Sequence, residues 1–416
     1  MRKSALFKQN VNSELCYELF VLFLWSQSIL VSYARAIWMM LPEIWNLADM
    51  VIGLAYWTLF IFSLTAFVRR LWTRDLLFFV TVLLIYVAYY WLFPDNQYYY
   101  ALYSETFAEK ALPMFLVGAS IIPNKSQRLY QGMYWLSIVT ILAFTAYKLV
   151  LHPLEGGTQS AGDMYAAYLF LPHLCVVTGH AMKKTNPINL SVSVLGGFVL
   201  VSLGTRGTVV CFLIFILLML LLFQKRKRPV LYISAFILVA IALVFSGLLE
   251  WLYDFAENFG LSLRVLDKLQ SGSFGESSGR VLIAGRVLEY ILLNPLTGMG
   301  IYSDRRVAGG QYAHNILLEL VIDFGVILGL ILFVLLIVLI LKAVLCVRRY
   351  EGNGETGILL LTYICSGFVK LFLSGSYLNE TTLFFLIGYC FIILREDKLN
   401  KLKSPGIRTS ESEARP

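Results

Sequence analysis

Apolar runs of a length near the ~20 residues that a helix needs to cross a bilayer recur along the chain, parted by short polar or basic segments. They predict spans at 17–41, 47–68, 76–93, 111–123, 131–151, 164–182, 188–204, 207–223, 230–248, 313–341, 356–374 and 378–394. The expected fold class is therefore an all-α polytopic membrane protein of about twelve transmembrane helices. One large loop, 249–312, separates the ninth span from the tenth, and a loop that long without structure of its own tends to carry function. Residues 1–395 form a single membrane domain in this reading, and 396–416, polar with Pro, Ser and Glu, form a disordered tail.

Composition supports lipid as the solvent. Hydrophobic residues make up 58% of the 416 and charged residues 14%, whereas a soluble domain has roughly 45–50% and about 25%. A net charge of +8 could suggest nucleic acid, but its distribution argues against that partner. Basic residues gather in short clusters between spans: Arg2, Lys3 and Lys8; Arg69, Arg70 and Arg74; Lys125 and Arg128; Lys183 and Lys184; Lys225 to Arg228; Lys342, Arg348 and Arg349; then Arg395 onward. Placing these clusters inside satisfies the positive-inside rule at every alternate loop. Both termini are then cytoplasmic, the first span stays as an anchor, and loop 249–312 lies outside. Cys16, Cys175, Cys211, Cys346, Cys365 and Cys390 lie in or beside spans with no CxxC, so neither a disulfide framework nor a zinc site is expected.

Three segments carry chemistry. Leu203-Gly-Thr-Arg206-Gly-Thr208 breaks two spans on the outer side, where Arg206 could reach a lipid headgroup or be an ordinary turn residue. Ser277-Ser278-Gly279-Arg280 opens an amphipathic helix with serine as N-cap, and Asn294-Pro295 ends it. Arg280 sits in its first turn, where helix amides add positive potential suited to phosphate; Arg286 is expected to pair with Glu289 at i+3. The third segment runs from Gly298-Met-Gly300 through Arg305 to His314-Asn315, where loop becomes helix. Asn315, Glu319 and Asp323 then make a polar stripe at spacing four. Carboxylates in a span need partners, and Lys370 is the expected one; a structural ion pair is the plainer role for Glu319 and Asp323. His314 could equally be an interfacial helix cap. His152, His173 and His180 are expected to be structural.

GTRG, SGR, NPLTGMGI and AHNILLELVIDFGVILGL together resemble the O-antigen polymerase and O-antigen ligase superfamily, with the AHN and FGVILG portions closer to Wzy-type polymerases. The resemblance implies a membrane glycosyltransferase of the GT-C type that takes a glycan from undecaprenyl diphosphate and passes it to an acceptor hydroxyl at the outer leaflet. A polymerase extends another lipid-linked repeat unit; a ligase uses lipid A-core. By motif, Arg206 and Arg280 correspond to the arginines flanking the diphosphate and His314 to the required histidine, with Arg305 a further diphosphate-binding candidate and Asn315 and Glu319 in support. Guanidinium groups can stabilise the departing diphosphate, so neither metal nor other cofactor is expected. Implied partners are the lipid-linked donor and acceptor, the bilayer and a polysaccharide chain-length regulator. A transporter of lipid-linked glycan is the rival from another class; it would show internal repeats and broken helices near the midplane, and a non-catalytic scaffold is the third.

Overall fold

The computed structural model describes residues 13–26, 42–123, 126–146, 161–184, 186–203, 205–223, 279–349 and 354–403. The expected span at 230–248, Lys225 to Arg228, His152, Ser277 and Ser278, the loop's first part 249–278, and residues 404–416 lie outside them. The described residues are helical throughout, with no strand among them. In chain order the helices are α1 (13–26), α2 (Pro42–Arg70), α3 (Thr73–Leu92), α4 (Gln97–Glu105), α5 (Pro113–Ser120), α6 (Gln127–Ala146), α7 (Ala161–Lys183), α8 (Pro187–Ser202) and α9 (Arg206–Phe223). After the gap come α10 (Arg280–Leu293), α11 (Ser303–Val307), α12 (Ile316–Phe324), α13 (Val326–Arg349), α14 (Gly354–Tyr363) and α15 (Thr381–Lys403).

Five helical stretches among these are long and apolar enough to cross a bilayer: Met50–Arg70, Thr73–Leu92, Gln127–Ala146, Val326–Arg349 and Gly354–Phe372. Pro187–Ser202 and Arg206–Leu222 are shorter apolar helices. The chain is thus a multi-pass membrane protein, all-helical among the described residues. The tyrosine-rich segment after α3 is helical rather than a loop: α4 runs through a π-turn, Thr106–Ala111, into α5, which Pro113 opens at its first position. α15 continues to Lys403, beyond the boundary at 395 expected from composition.

Small residues set the closest helix approach. A Cβ on Gly118 of α5 would overlap the Phe385 carbonyl of α15, and a Cβ on Gly388 would overlap the Phe115 carbonyl. Without side chains at these two positions the backbones meet directly, a packing mode that membrane bundles rely on because lipid supplies no hydrophobic drive between helices.

The tenth expected span is two helices. The apolar run 313–341 breaks at Gly325, whose φ of 82° ends α12 before α13 begins. Loop 294–300 threads this break. Met299 N donates to Ile322 O (2.7 Å), Gly300 N to Asp323 O (3.1 Å), and Val326 N to Pro295 O (2.7 Å). Those bonds satisfy the carbonyls and amide that the interrupted helix would leave open. Gly298 (φ 67°) and Gly325 lie back to back: a Cβ on either would strike the other's strand of backbone, at Asp323 O or Leu296 O. This explains the glycines of NPLTGMG and DFG together. α12 is held against α10 by Ile283, Val287 and Ile291, one buried stripe at spacing four that meets Val321 and Ile322. Val281, Leu282, Leu292 and Leu293 cover the opposite, exposed face of α10, as expected of a helix lying at a membrane surface.

Candidate functional site

α11, α12 and the segment 374–380 between α14 and α15 assemble one buried polar cluster. Arg305 is 1% exposed, and Glu319 and Asp323 are fully buried. Arg305 Nη1 donates to Asp304 Oδ1 (2.7 Å) and Glu319 Oε1 (3.4 Å), and Nη2 donates to Ser376 Oγ (2.7 Å). Its guanidinium carbon lies 4.8 Å from the Tyr302 ring centre and 5.2 Å from that of Tyr103. Burial opposes the guanidinium charge, yet Asp304, Glu319 and Asp323 outweigh it and hold Arg305 protonated above its ordinary range. Glu319 Oε2 accepts from Tyr377 N (3.0 Å), while Asp323 accepts from Ser303 Oγ (3.1 Å) and the Tyr377 hydroxyl (2.8 Å).

Several sequence expectations change here. Lys370 does not partner Glu319 or Asp323. It pairs with Glu380, which Thr382 Oγ1 also approaches (2.6 Å). The physical reason is proximity within one turn of chain: Glu380 follows Lys370 around the 374–379 loop, whereas Arg305 reaches the α12 carboxylates first. Arg305 was expected to hold diphosphate, but its two terminal nitrogens are already engaged inside the protein. Arg286 and Glu289 are both exposed and form no ion pair, since each is better solvated alone. At α10 the N-cap position is Gly279 (φ 74°), with no side-chain cap.

His314 follows directly from this cluster. Asp304 Oδ2 accepts from Ala313 N (2.9 Å), fixing the residue before it. His314 itself takes φ 56° and Tyr302 takes φ 69°, both uncommon for side-chain-bearing residues and both at this site. Asn315, not His314, caps α12: its Oδ1 accepts from Leu317 N (2.9 Å) and Leu318 N (3.3 Å). The imidazole packs on Tyr312, ring centres 4.2 Å apart, and its Nδ1 has no hydrogen-bond partner among the described residues. Burial, then the Arg280 charge, lowers its pKa to about 4, with Asp304 pulling the other way. A neutral imidazole with an open nitrogen is therefore the resting form at pH 7.

The arginines come from distant stretches to the same end of the bundle. Arg280 Nη1 donates to Leu373 O (2.6 Å). Gly207, the neighbour of Arg206 at the start of α9, lies against Leu373 and Tyr168, and Lys370 Nζ stands 4.7 Å from the Tyr168 ring centre. Arg280 and the start of α9, which Arg206 opens, thus both lie against the turn at 370–374, with Arg280 close enough to His314 to shift it. Beside them opens a cavity of ≈ 400 Å³ onto which Arg305, His314, Tyr103, Tyr312 and Asn379 all face. Ser376, Tyr377, Asn379 and Tyr103 were not picked out from sequence. The polar block Ser374-Gly-Ser-Tyr-Leu-Asn-Glu380 between two apolar runs was the available signal, with Gly375 at φ 92° turning the chain.

Fold and site define a helical membrane protein with its polar machinery gathered at one end of the bundle. A family model described as O-antigen ligase matches residues 191–334, and over that stretch the chain is similar to the O-antigen polymerase and ligase superfamily. Arg206, Arg280, Arg305, His314, Asn315 and Glu319 all fall inside the matched stretch. No curated protein matches the chain, nor does any solved structure.

Proposed function

We propose that this protein is a membrane glycosyltransferase that polymerises undecaprenyl-diphosphate-linked repeat units into a surface polysaccharide at the outer leaflet. The observation that supports the reading is that Arg280 bonds Leu373 O while Gly207, next to Arg206, packs on the same turn at 370–374, beside a neutral, partly buried His314. Arg206 and Arg280 hold the diphosphate and take up the negative charge that grows on it as the bond to the anomeric carbon breaks. The acceptor hydroxyl oxygen bonds to that carbon, its proton passes to His314, and undecaprenyl diphosphate leaves. The twelve-span topology with both termini in the cytoplasm belongs to the same proposal, supported by the basic clusters. Arg305, Asn315 and Glu319 act by position: Arg305 and Glu319 tie α11 to α12, and Asn315 starts α12 just after His314.

The ligase reading shares this chemistry and differs in the acceptor, and the matching family model fits either. Purified protein incubated with lipid-linked repeat units alone separates the two. A ladder of longer lipid-linked products supports the polymerase. Product that appears only after lipid A-core is added supports the ligase, and no transfer under either condition removes both.

A further inference from the structure

We propose that the cavity beside His314 is a saccharide subsite selective for an uncharged sugar, separate from the cations that hold the diphosphate. The inference rests on the transferase reading and names the ligand chemistry of one part of its site. At ≈ 400 Å³ the cavity falls within the roughly 300–1,000 Å³ of small-molecule sites. Its walls bring together the aromatic rings of Tyr103 and Tyr312 and the amides of Gln311 and Asn379. A pyranose ring offers an apolar C–H face and a rim of hydroxyls; the first suits an aromatic ring and the second suits amides, which both donate and accept. Asn379 Oδ1 is buried without a hydrogen-bond partner among the described residues, and a sugar hydroxyl would satisfy it.

Charge decides against an anion. Among the described residues the one cation in the wall is Arg305, and it already faces Asp304 and Glu319, with Asp323 close behind. Only protonation of all three carboxyls would leave its charge free. Arg206, Arg280 and Lys370 are not among the cavity's lining residues. A uronic acid or phosphate entering here would lose its hydration without gaining a cation. His314 lines the cavity and feels Arg280, so it stands between the hydroxyl-binding and diphosphate-binding parts.

The test is ligand-detected NMR on the full chain in detergent, using neutral hexose and N-acetylhexosamine disaccharides alongside their uronic-acid counterparts. Neutral disaccharides should give saturation transfer, and Asn379→Ala should weaken it about tenfold or more, the order of one lost buried hydrogen bond. Gln311→Ala, at an exposed position that spares the fold, should weaken it less. Arg280→Ala should leave sugar binding unchanged while reducing retention of undecaprenyl diphosphate. Equal or better binding of the uronic acids, no sugar binding at all, or binding untouched by both cavity variants would overturn the subsite. Sugar binding that depends on Asn379 in a protein without transfer activity would keep the subsite and remove the transferase reading. Transfer with an unaltered acceptor KM in Asn379→Ala would do the reverse.

Discussion

The two ends of the helix bundle use the same pairing of arginine with carboxylate and put it to different ends. α15 links them: it starts at Thr381 beside Glu380, and Arg395 lies 14 residues on, about 21 Å at helical rise. At the Arg395 end most contacts close, although Arg395 Nε is buried without a hydrogen-bond partner among the described residues. Arg395 donates to Asp75 (2.9 Å) and to Arg70 O (3.0 Å), Arg70 pairs with Glu14, and the guanidinium groups lie over Trp72 (4.9 Å) and Tyr17 (4.0 Å). A cavity between Tyr130 and Glu355 holds only ≈ 20 Å³. At the Arg305 end one guanidinium pairs with two carboxyls while a third lies nearby, His314 Nδ1 and Asn379 Oδ1 have no partner among the described residues, two residues sit at positive φ, and a cavity of ≈ 400 Å³ opens. The difference lies in strain and space: the two positive-φ residues that are not glycine among the described residues, Tyr302 and His314, sit at the end that carries the ≈ 400 Å³ cavity, as a ligand site would have them.

The largest effect that would sharpen this contrast is on transfer. Arg280→Ala should cut the rate from a lipid-diphosphate donor by ~10²–10³, the usual cost of one oxyanion-stabilising donor. Arg395→Ala, at the closed end, should leave the rate per folded molecule unchanged. Equal losses at both ends would break the comparison.

Next comes stability. Arg305→Ala strands the buried carboxyls of Asp304 and Glu319 and should lower unfolding stability by ~3–5 kcal/mol, read as a fall in thermal midpoint in detergent. Arg305→Lys should recover part of the stability and little activity, because an ammonium cannot span Asp304, Glu319 and Ser376 in one plane.

A smaller effect lies in pH. With its pKa near 4, His314 stays neutral as pH falls through 6.5, so the rate should hold level there and drop only toward 4. Between those values the unfolded chain binds the extra proton, so this residue's contribution to stability rises with pH over that window. Arg280→Ala removes one cause of the lowered value, and the acid limb of its residual activity should move up in pH. A limb at 6.5 in the native protein would contradict the burial of His314. Smallest of all, Arg286→Gln should change neither rate nor stability beyond about 0.5 kcal/mol, since the side chain is exposed and unpaired.

Much of the helical content was legible because lipid-facing spans leave long apolar runs. The break at Gly325 was not: Val321 to Leu332 reads as one continuous apolar stretch apart from Asp323 and Gly325, and only the backbone of 295–300 shows why the helix stops. The carboxylate stripe of Glu319 and Asp323 was visible from spacing, yet its partner was misassigned to Lys370. Spacing along one helix says which face a residue occupies and nothing about which loop arrives there. His314, Arg206 and Arg280 stood out through motif resemblance. Asn379, Tyr377 and Ser376 did not, because a short polar turn between spans looks the same whether it faces water or closes a site.

The most direct test of the account is the transfer rate of His314→Ala at saturating lipid-linked donor and acceptor. The account predicts a fall of ~10²–10⁴, the range for a lost general base, with donor binding intact. An unchanged rate would contradict it.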